Sequence, residues 1–283
     1  MISRNEIIGQ KDLLDRIDYL IENDKLPRFI ILVGAKNSGK KLIANYISDK
    51  LGATFVPCTL KADDVREVID ESYKQSELMC YMWADSDNMS ITSKNAILKV
   101  TEEPPNSAYF IITLNDINNM LPTILSRGTQ LFINPYSDKE LIEYAEFKKY
   151  DTNKHGVIIT NVCSNPGDID SLFDYDIDKF VSFTYSILDN IGNASYANVL
   201  KLANSFKIKK DDDKSKYDIL LFMRCFNAIC LNELKSSSDI RYGQASIVCS
   251  ECASEFRVSS ISKLAVLDKW LLSIKEIFSQ AVS

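Results

Sequence analysis

Long hydrophobic runs are missing from this sequence. The best candidate, residues 219–231, is interrupted by Arg224 and Asn227 and falls short of the roughly 20 apolar residues a membrane helix needs. The opening Met-Ile-Ser-Arg-Asn-Glu lacks the apolar core of a signal peptide, so a cytoplasmic location without membrane association is expected. An excess of positive charge is missing too. Lys and Arg number 33 against 39 Asp and Glu, a net charge of −6, which argues against a standalone nucleic-acid binder. Any DNA contact should be local, weak or shared with partner subunits. Histidine occurs once, at His155, with no constellation to support catalysis or ligation, and a surface helix position is expected. The seven cysteines (58, 80, 163, 225, 230, 249 and 252) are odd in number and scattered through apolar segments. Cys249-Ser-Glu-Cys252 with Cys225 and Cys230 lacks the glycine-rich knuckles of a zinc ribbon, so reduced, mostly buried thiols and no zinc are expected.

A chain of 283 residues can hold two or three domains, and 46% hydrophobic with 25% charged residues is ordinary for a soluble globular protein. Strand and helix patterns alternate up to about residue 135, which predicts a mainly parallel sheet with helices on both faces. Strands are expected at 29–33, 54–57, 79–84, 108–113 and 129–133, and helices at about 40–51, 63–75 and 90–103. Gly52 should close the first of these helices at a left-handed position, and Pro104-Pro105 should end the last. A short helix should open on Pro122. Beyond Pro135 the strands vanish. Ser137-Asp-Lys-Glu140 reads as a capping box, Asn165-Pro-Gly167 interrupts a second helical stretch, and from about 180 the pattern is helical throughout. The Lys- and Asp-rich segment 207–216 reads as a solvated loop or frayed helix end rather than a binding patch.

Asn95-Ala-Ile-Leu-Lys-Val-Thr-Glu-Glu-Pro-Pro105 is followed by the apolar strand at 108–113 and by Leu121-Pro-Thr-Ile-Leu-Ser-Arg127. This order resembles N-A-L-L-K-T-L-E-E-P-P, an apolar strand, L-P-T-I and S-R-C in the delta-prime and gamma/tau subunits of the bacterial DNA polymerase III clamp loader. Eight of the first eleven positions are identical. The resemblance covers roughly the first half of the chain and is closest to the delta-prime branch. It implies an α/β AAA+ core, a RecA-like parallel sheet with helices on both faces, over residues 1–136. A small helical lid over 137–178 and an all-α C-terminal collar over 179–283 would follow.

Gly34-Ala-Lys-Asn-Ser-Gly-Lys40 lies between an apolar strand and a helix, the context in which a phosphate loop is credible. Amides at a helix N-terminus would face phosphate, with Lys40 reaching the terminal groups. Candidate nucleotide-binding residues are therefore Gly34, Asn37, Ser38, Gly39, Lys40 and Lys41. Lys41 stands where the motif has a Ser or Thr hydroxyl for magnesium, and an ammonium cannot take that role. Two readings stay open: ATP or ADP bound without efficient hydrolysis, or an empty loop kept for structure. In either case ATP/ADP with Mg2+, the ligand set the family implies, would be held weakly or not at all.

The strand Cys80-Tyr-Met-Trp-Ala-Asp85 ends at the place of the family's metal-binding Asp. The next residue, a water-orienting Glu in ATPase subunits, is Ser86, a poor base at neutral pH. Asp87 would share Asp85's side of an extended strand and could substitute. Thr113, with Asn115 just beyond it, occupies the sensor 1 place or caps the strand end. Asp168 stands near the position of a lid arginine. No metal ligand set is assigned. Arg127 matches the arginine that projects into a neighbour's ATP site in the family, although Gly128 replaces the usual Cys; the alternative is an arginine capping its own short helix. Glu102 and Glu103 end a helix where the dipole disfavours acids, which marks either an interface or a solvated pair.

The function implied is a delta-prime-like clamp-loader subunit, accessory to a DNA polymerase holoenzyme. Its partners would be gamma/tau-like and delta-like subunits in a pentameric ring, the sliding clamp, and primer-template DNA through the complex. The rivals are an active gamma/tau-like AAA+ ATPase and a standalone DNA-binding regulator.

Overall fold

The computed structural model describes residues 2–206, 218–258 and 260–279, and the charged segment at 207–216 lies outside them. One compact unit comprises the chain through Phe147 together with Asn165–Asp168. The other comprises Lys148–Ser164 and the chain from Ile169 onward.

In the first unit, α1 (Lys11–Glu22) precedes β1 (Phe29–Val33), a continuously apolar strand with every residue buried. Next come α2 (Lys40–Leu51), β2 (Thr54–Cys58), α3 (Ala62–Ser72), β3 (Met79–Trp83), α4 (Ile91–Glu102), β4 (Ala108–Leu114), α5 (Pro122–Leu125), β5 (Thr129–Phe132) and α6 (Asp138–Phe147). Gly52 ends α2 with φ 64°, and Pro122 opens α5. The capping box forms: Ser137 N donates to Glu140 Oε2 at 2.7 Å, and Glu140 N to Ser137 Oγ at 3.4 Å.

The five strands are parallel, in the order β2-β3-β4-β1-β5. Alternation along the strands separates two cores. Ile30, Leu32, Met82, Ile111 and Leu131 pack with Leu14 and Ile17 of α1 and Ile43 and Ile47 of α2. Ile31, Trp83, Phe110 and Ile112 pack with Val65 of α3, Ile97 of α4 and Ile124 of α5. Helices therefore cover both faces, and the expected fold class is the one found. Pro57 sits on edge strand β2, where a missing donor disturbs no second neighbour.

The second unit is helical throughout its described residues, with α7 (Thr152–Val162), α8 (Pro166–Phe173, whose first turn belongs to the first unit), α9 (Ile177–Asn190), α10 (Tyr196–Ser205), α11 (Ile219–Ser237), α12 (Ile240–Phe256) and α13 (Lys263–Ser279). Its core gathers aromatics, with Phe222 and Phe226 edge-on to Trp270 at 6.1 and 5.0 Å. Ile219, Met223, Phe226 and Ile229 of α11 are buried, as are Cys225, Cys230, Cys249 and Cys252. His155 is a correction to the sequence expectation. It is 7% exposed rather than on the surface, because Phe173 meets its ring edge-on and Asp178 lies 2.8 Å from Nε2. No described helix is long and apolar enough to cross a membrane.

Candidate functional site

Gly34 leaves β1 with its N–H on Leu114 O at 3.1 Å, and the loop that follows closes at Gly39, whose φ of 89° suits glycine. A Cβ on Gly34 would fall 2.8 Å from Ser38 Oγ and 2.9 Å from Ile133 Cβ. The loop is held from three sides. Tyr136 donates its hydroxyl to Ser38 O at 3.0 Å, and burial pushes that phenol up to about 12, so it stays a donor. Gly167 N donates to Asn37 O at 3.1 Å, and Asn37 Nδ2 to Asp168 Oδ1 at 2.9 Å. Lys40 lies inward, 7% exposed, and donates to Gly34 O (2.9 Å), Ala35 O (2.7 Å) and Asn115 Oδ1 (2.9 Å). Burial lowers its pKa, opposed by the charges of Asp85 and Asp87.

Asp85 departs from the extended geometry expected of it. Its φ is 50°, and Ser86–Asn88 form a 3-10 turn, so Asp85 and Asp87 do not share a strand face by alternation. They meet through Asn115 instead. Asn115 Nδ2 donates to Asp85 Oδ1 at 3.0 Å and approaches both Asp87 oxygens at 3.3 Å. Thr113 Oγ1 accepts the Asp85 N–H at 2.8 Å, tying β4 to the end of β3. Ser86 is fully buried and donates to Trp83 O at 2.8 Å, so its hydroxyl is engaged in its own turn. Lys94 of α4 braces the same region, donating to Asp87 O at 3.2 Å and Asn119 O at 2.6 Å.

The residues present fit a polyphosphate better than they fit magnesium. For phosphate there is a glycine-lined loop at a helix N-terminus, with the Ser38 hydroxyl buried and without a partner among the described residues. For the metal there is the exposed Lys41 ammonium where a hydroxyl oxygen is needed, and an Asp85 carboxylate already accepting from an amide. Phosphate would be held through the Ser38 hydroxyl and the loop amides of Asn37 and Gly39, with Lys40 turned away from its present acceptors; the Gly34 N–H already donates to Leu114 O.

Arg127 follows α5 and lies apart from this network. Its Nη1 donates to Thr123 O at 2.8 Å, and its Nη2 lies 2.8 Å from Glu102 Oε1. The side chain is 37% exposed, so the guanidinium sits at the surface and not in the core of the unit. Gly128 is confined: a Cβ there would fall 2.5 Å from Ile31 Cδ1 and 2.8 Å from Phe29 Cδ1.

A cavity of about 340 Å³ opens between the N-terminal segment and α6, lined by Arg4, Ile7, Ile8, Lys11, Leu14 and Glu143. None of the residues singled out in the sequence lines it. Next to it, Gln10 clamps Asn134 through two 3.0 Å hydrogen bonds, and Gly9 is backed against Tyr136 and Glu140.

Residues 58–137 match the family model described as DNA polymerase III, delta subunit. The DNA polymerase III subunit gamma of Buchnera aphidicola subsp. Schizaphis graminum is 26% identical over 50% of this chain and 48% of that protein. The chain is thus similar, over about half its length, to DNA polymerase III subunits. Subunit tau/gamma of Haemophilus influenzae is 23% identical over 49% of this chain and 25% of its own length. The chain thus spans about half or less of the curated relatives it matches. Among solved structures, a gamma subunit-related protein from Thermotoga maritima aligns at TM-score 0.53 with 14% identity, over 93% of this chain and 100% of that one. The Thermotoga maritima RuvB branch migration motor aligns at 0.52 with 12% identity, over 83% and 78%. At these identities the structural matches speak for the fold alone.

The chain gathers Gly34, Asn37, Ser38, Gly39, Lys40, Asp85 and Thr113 at the C-terminal ends of β1, β3 and β4, where open parallel sheets take ligands. Sequence reasoning missed Tyr136, Gln10 and Lys94. It noticed Asn115 but not its bridging role. Asp168, noted at the lid arginine's position, is bonded to the loop itself. Gly167 beside it is equally close, since a Cβ there would fall 3.0 Å from Asn37 O.

Proposed function

We propose that this chain is a clamp-loader subunit of the delta-prime kind, which holds a loader ring together and lends Arg127 to a neighbour's ATP. The reading rests on the residue after Asp85. Ser86 is buried and engaged with Trp83 O, so no base stands there to orient a water. Lys41 weakens the metal position as well, and Asp168 puts a carboxylate beside the loop where a cation would serve hydrolysis. Nucleotide would bind weakly, or the loop would serve as structure. Arg127, exposed at the end of α5, has the chemistry for a neighbour's triphosphate: a planar, permanently charged fork.

On this reading the chain works in the cytoplasm within a pentameric ring of gamma/tau-like and delta-like subunits that loads the sliding clamp onto primed DNA. The division into a core to residue 136, a lid over 137–178 and a collar from 179 belongs to the same proposal. The second reading, a gamma/tau-like active ATPase, draws on the gamma and tau names of the relatives and on Asp87, whose carboxylate joins Asp85 at Asn115. Hydrolysis of ATP by the lone chain with magnesium separates the two. A turnover above about one per second, the range of working phosphoryl-transfer enzymes, would favour the ATPase.

A further inference from the structure

We propose that Glu102 is a positioning residue for Arg127, holding the guanidinium in an outward pose ready for a neighbouring subunit's triphosphate. This rests on the trans role proposed above for Arg127. The two adjacent glutamates at the end of α4 have different environments. Glu103 is the helix cap, and its carbonyl accepts the Tyr73 hydroxyl at 2.7 Å. Glu102 is the last residue of α4, where the negative end of the helix disfavours a carboxylate, and it faces Arg127 Nη2 at 2.8 Å. An acid at that position is unfavourable for the helix alone and becomes favourable once a cation is set against it.

The backbone under Arg127 is fixed independently. Its N–H bonds Ile124 O at 3.1 Å, and Gly128 is wedged against Ile31 and Phe29. A long arginine side chain on a fixed backbone still has four torsions to order. Thr123 O and Glu102 anchor two different nitrogens of the fork, one from α5 and one from α4. The remaining N–H groups are left for a ligand. With the two side chains 37% and 56% exposed, the pair is screened by water and adds little to stability. It is therefore suited to restraining a conformation, and loose enough for one nitrogen to turn toward a more highly charged triphosphate. Preorganising a charge in this way acts on the transition state more than on substrate binding.

The test uses the assembled ring, with ATP turnover followed at the site next to this chain. Glu102→Ala should lower kcat there about tenfold with KM unchanged, as expected for lost orientation of a catalytic group. Glu102→Gln, which keeps an acceptor oxygen, should restore part of it. Arg127→Ala should lower kcat far more, and adding Glu102→Ala to it should have no further effect. If Arg127→Ala lowers kcat while Glu102→Ala leaves it unchanged or raises it, the positioning role is overturned and the trans role of Arg127 stands. A further loss from Glu102→Ala on top of Arg127→Ala would also overturn the positioning role, since Glu102 would then act by another route. If Arg127→Ala itself has no effect, both fall.

Discussion

Asn115 accepts from Lys40 and donates to Asp85: its Oδ1 lies 2.9 Å from the ammonium and its Nδ2 3.0 Å from the carboxylate. A cation on one side and anions on the other fix which way the amide faces. Lys40 and the acidic end of β3 are thus joined through a neutral side chain.

One consequence concerns magnesium. With Lys41 in place of a hydroxyl and Asp85 bonded to Asn115, a divalent ion gains little from this site. Nucleotide affinity measured by calorimetry should be the same, within about twofold, in magnesium and in a chelator. Lys41→Thr should make binding magnesium-dependent. A tenfold gain from magnesium in the unaltered chain would contradict the fit argued for the loop.

Gly128 offers a stability test. The family pattern has a larger residue there, but in this chain an added Cβ would meet Ile31 Cγ1 at 2.6 Å and Phe29 Cδ1 at 2.8 Å. Gly128→Ala should destabilise by about 1–3 kcal/mol, as overpacking does, and lower Tm in thermal denaturation. An unchanged Tm would mean that β1 yields easily.

How much of this was legible depends on the range of the interaction. The continuous apolar run of β1, Gly52 after α2, Pro122 at the start of α5 and the Ser137–Glu140 box are local signals, and each appears where the sequence put it. The strand order is set by pairing between distant segments and was not readable. Gln10 and Asn134 meet across 124 residues, and no local pattern announces the pair. The turn at Asp85 was hidden because a non-glycine residue adopts φ 50° there, held by Thr113. His155 was misplaced because helical periodicity gives a face but not its neighbour, and Asp178 lies 23 residues on. The short pattern around Arg127 revealed the arginine but not its partner: Glu102 and Glu103 are equivalent in sequence and only the fold distinguishes them.

Asp18 sets a pH dependence. It accepts from Arg4 Nη1 and from the Tyr46 hydroxyl, both at 2.6 Å, and lies 3.3 Å from Lys50, fastening α1 to α2. Burial pushes its pKa up, but the bonds from Tyr46, Lys50 and Arg4 outweigh this and leave it below the ordinary carboxylate value. A depressed carboxylate pKa means the stabilisation is complete above about pH 4 and is lost as pH falls through the lower, folded-state value. Asp18→Asn should therefore cost about 2 kcal/mol at neutral pH, and the difference should shrink in acid. Urea denaturation of both forms at pH 7 and near pH 3 checks this; a constant difference would contradict it.

On the proposed reading, this chain supplies a guanidinium to a site in its neighbour. The most direct measurement is ATP turnover by the adjoining subunit in a reconstituted ring, with that subunit's site alone competent and this chain carrying Arg127→Ala. A fall of about a thousandfold is expected for loss of an arginine acting in trans. Turnover equal to that of the unaltered ring would contradict the claim.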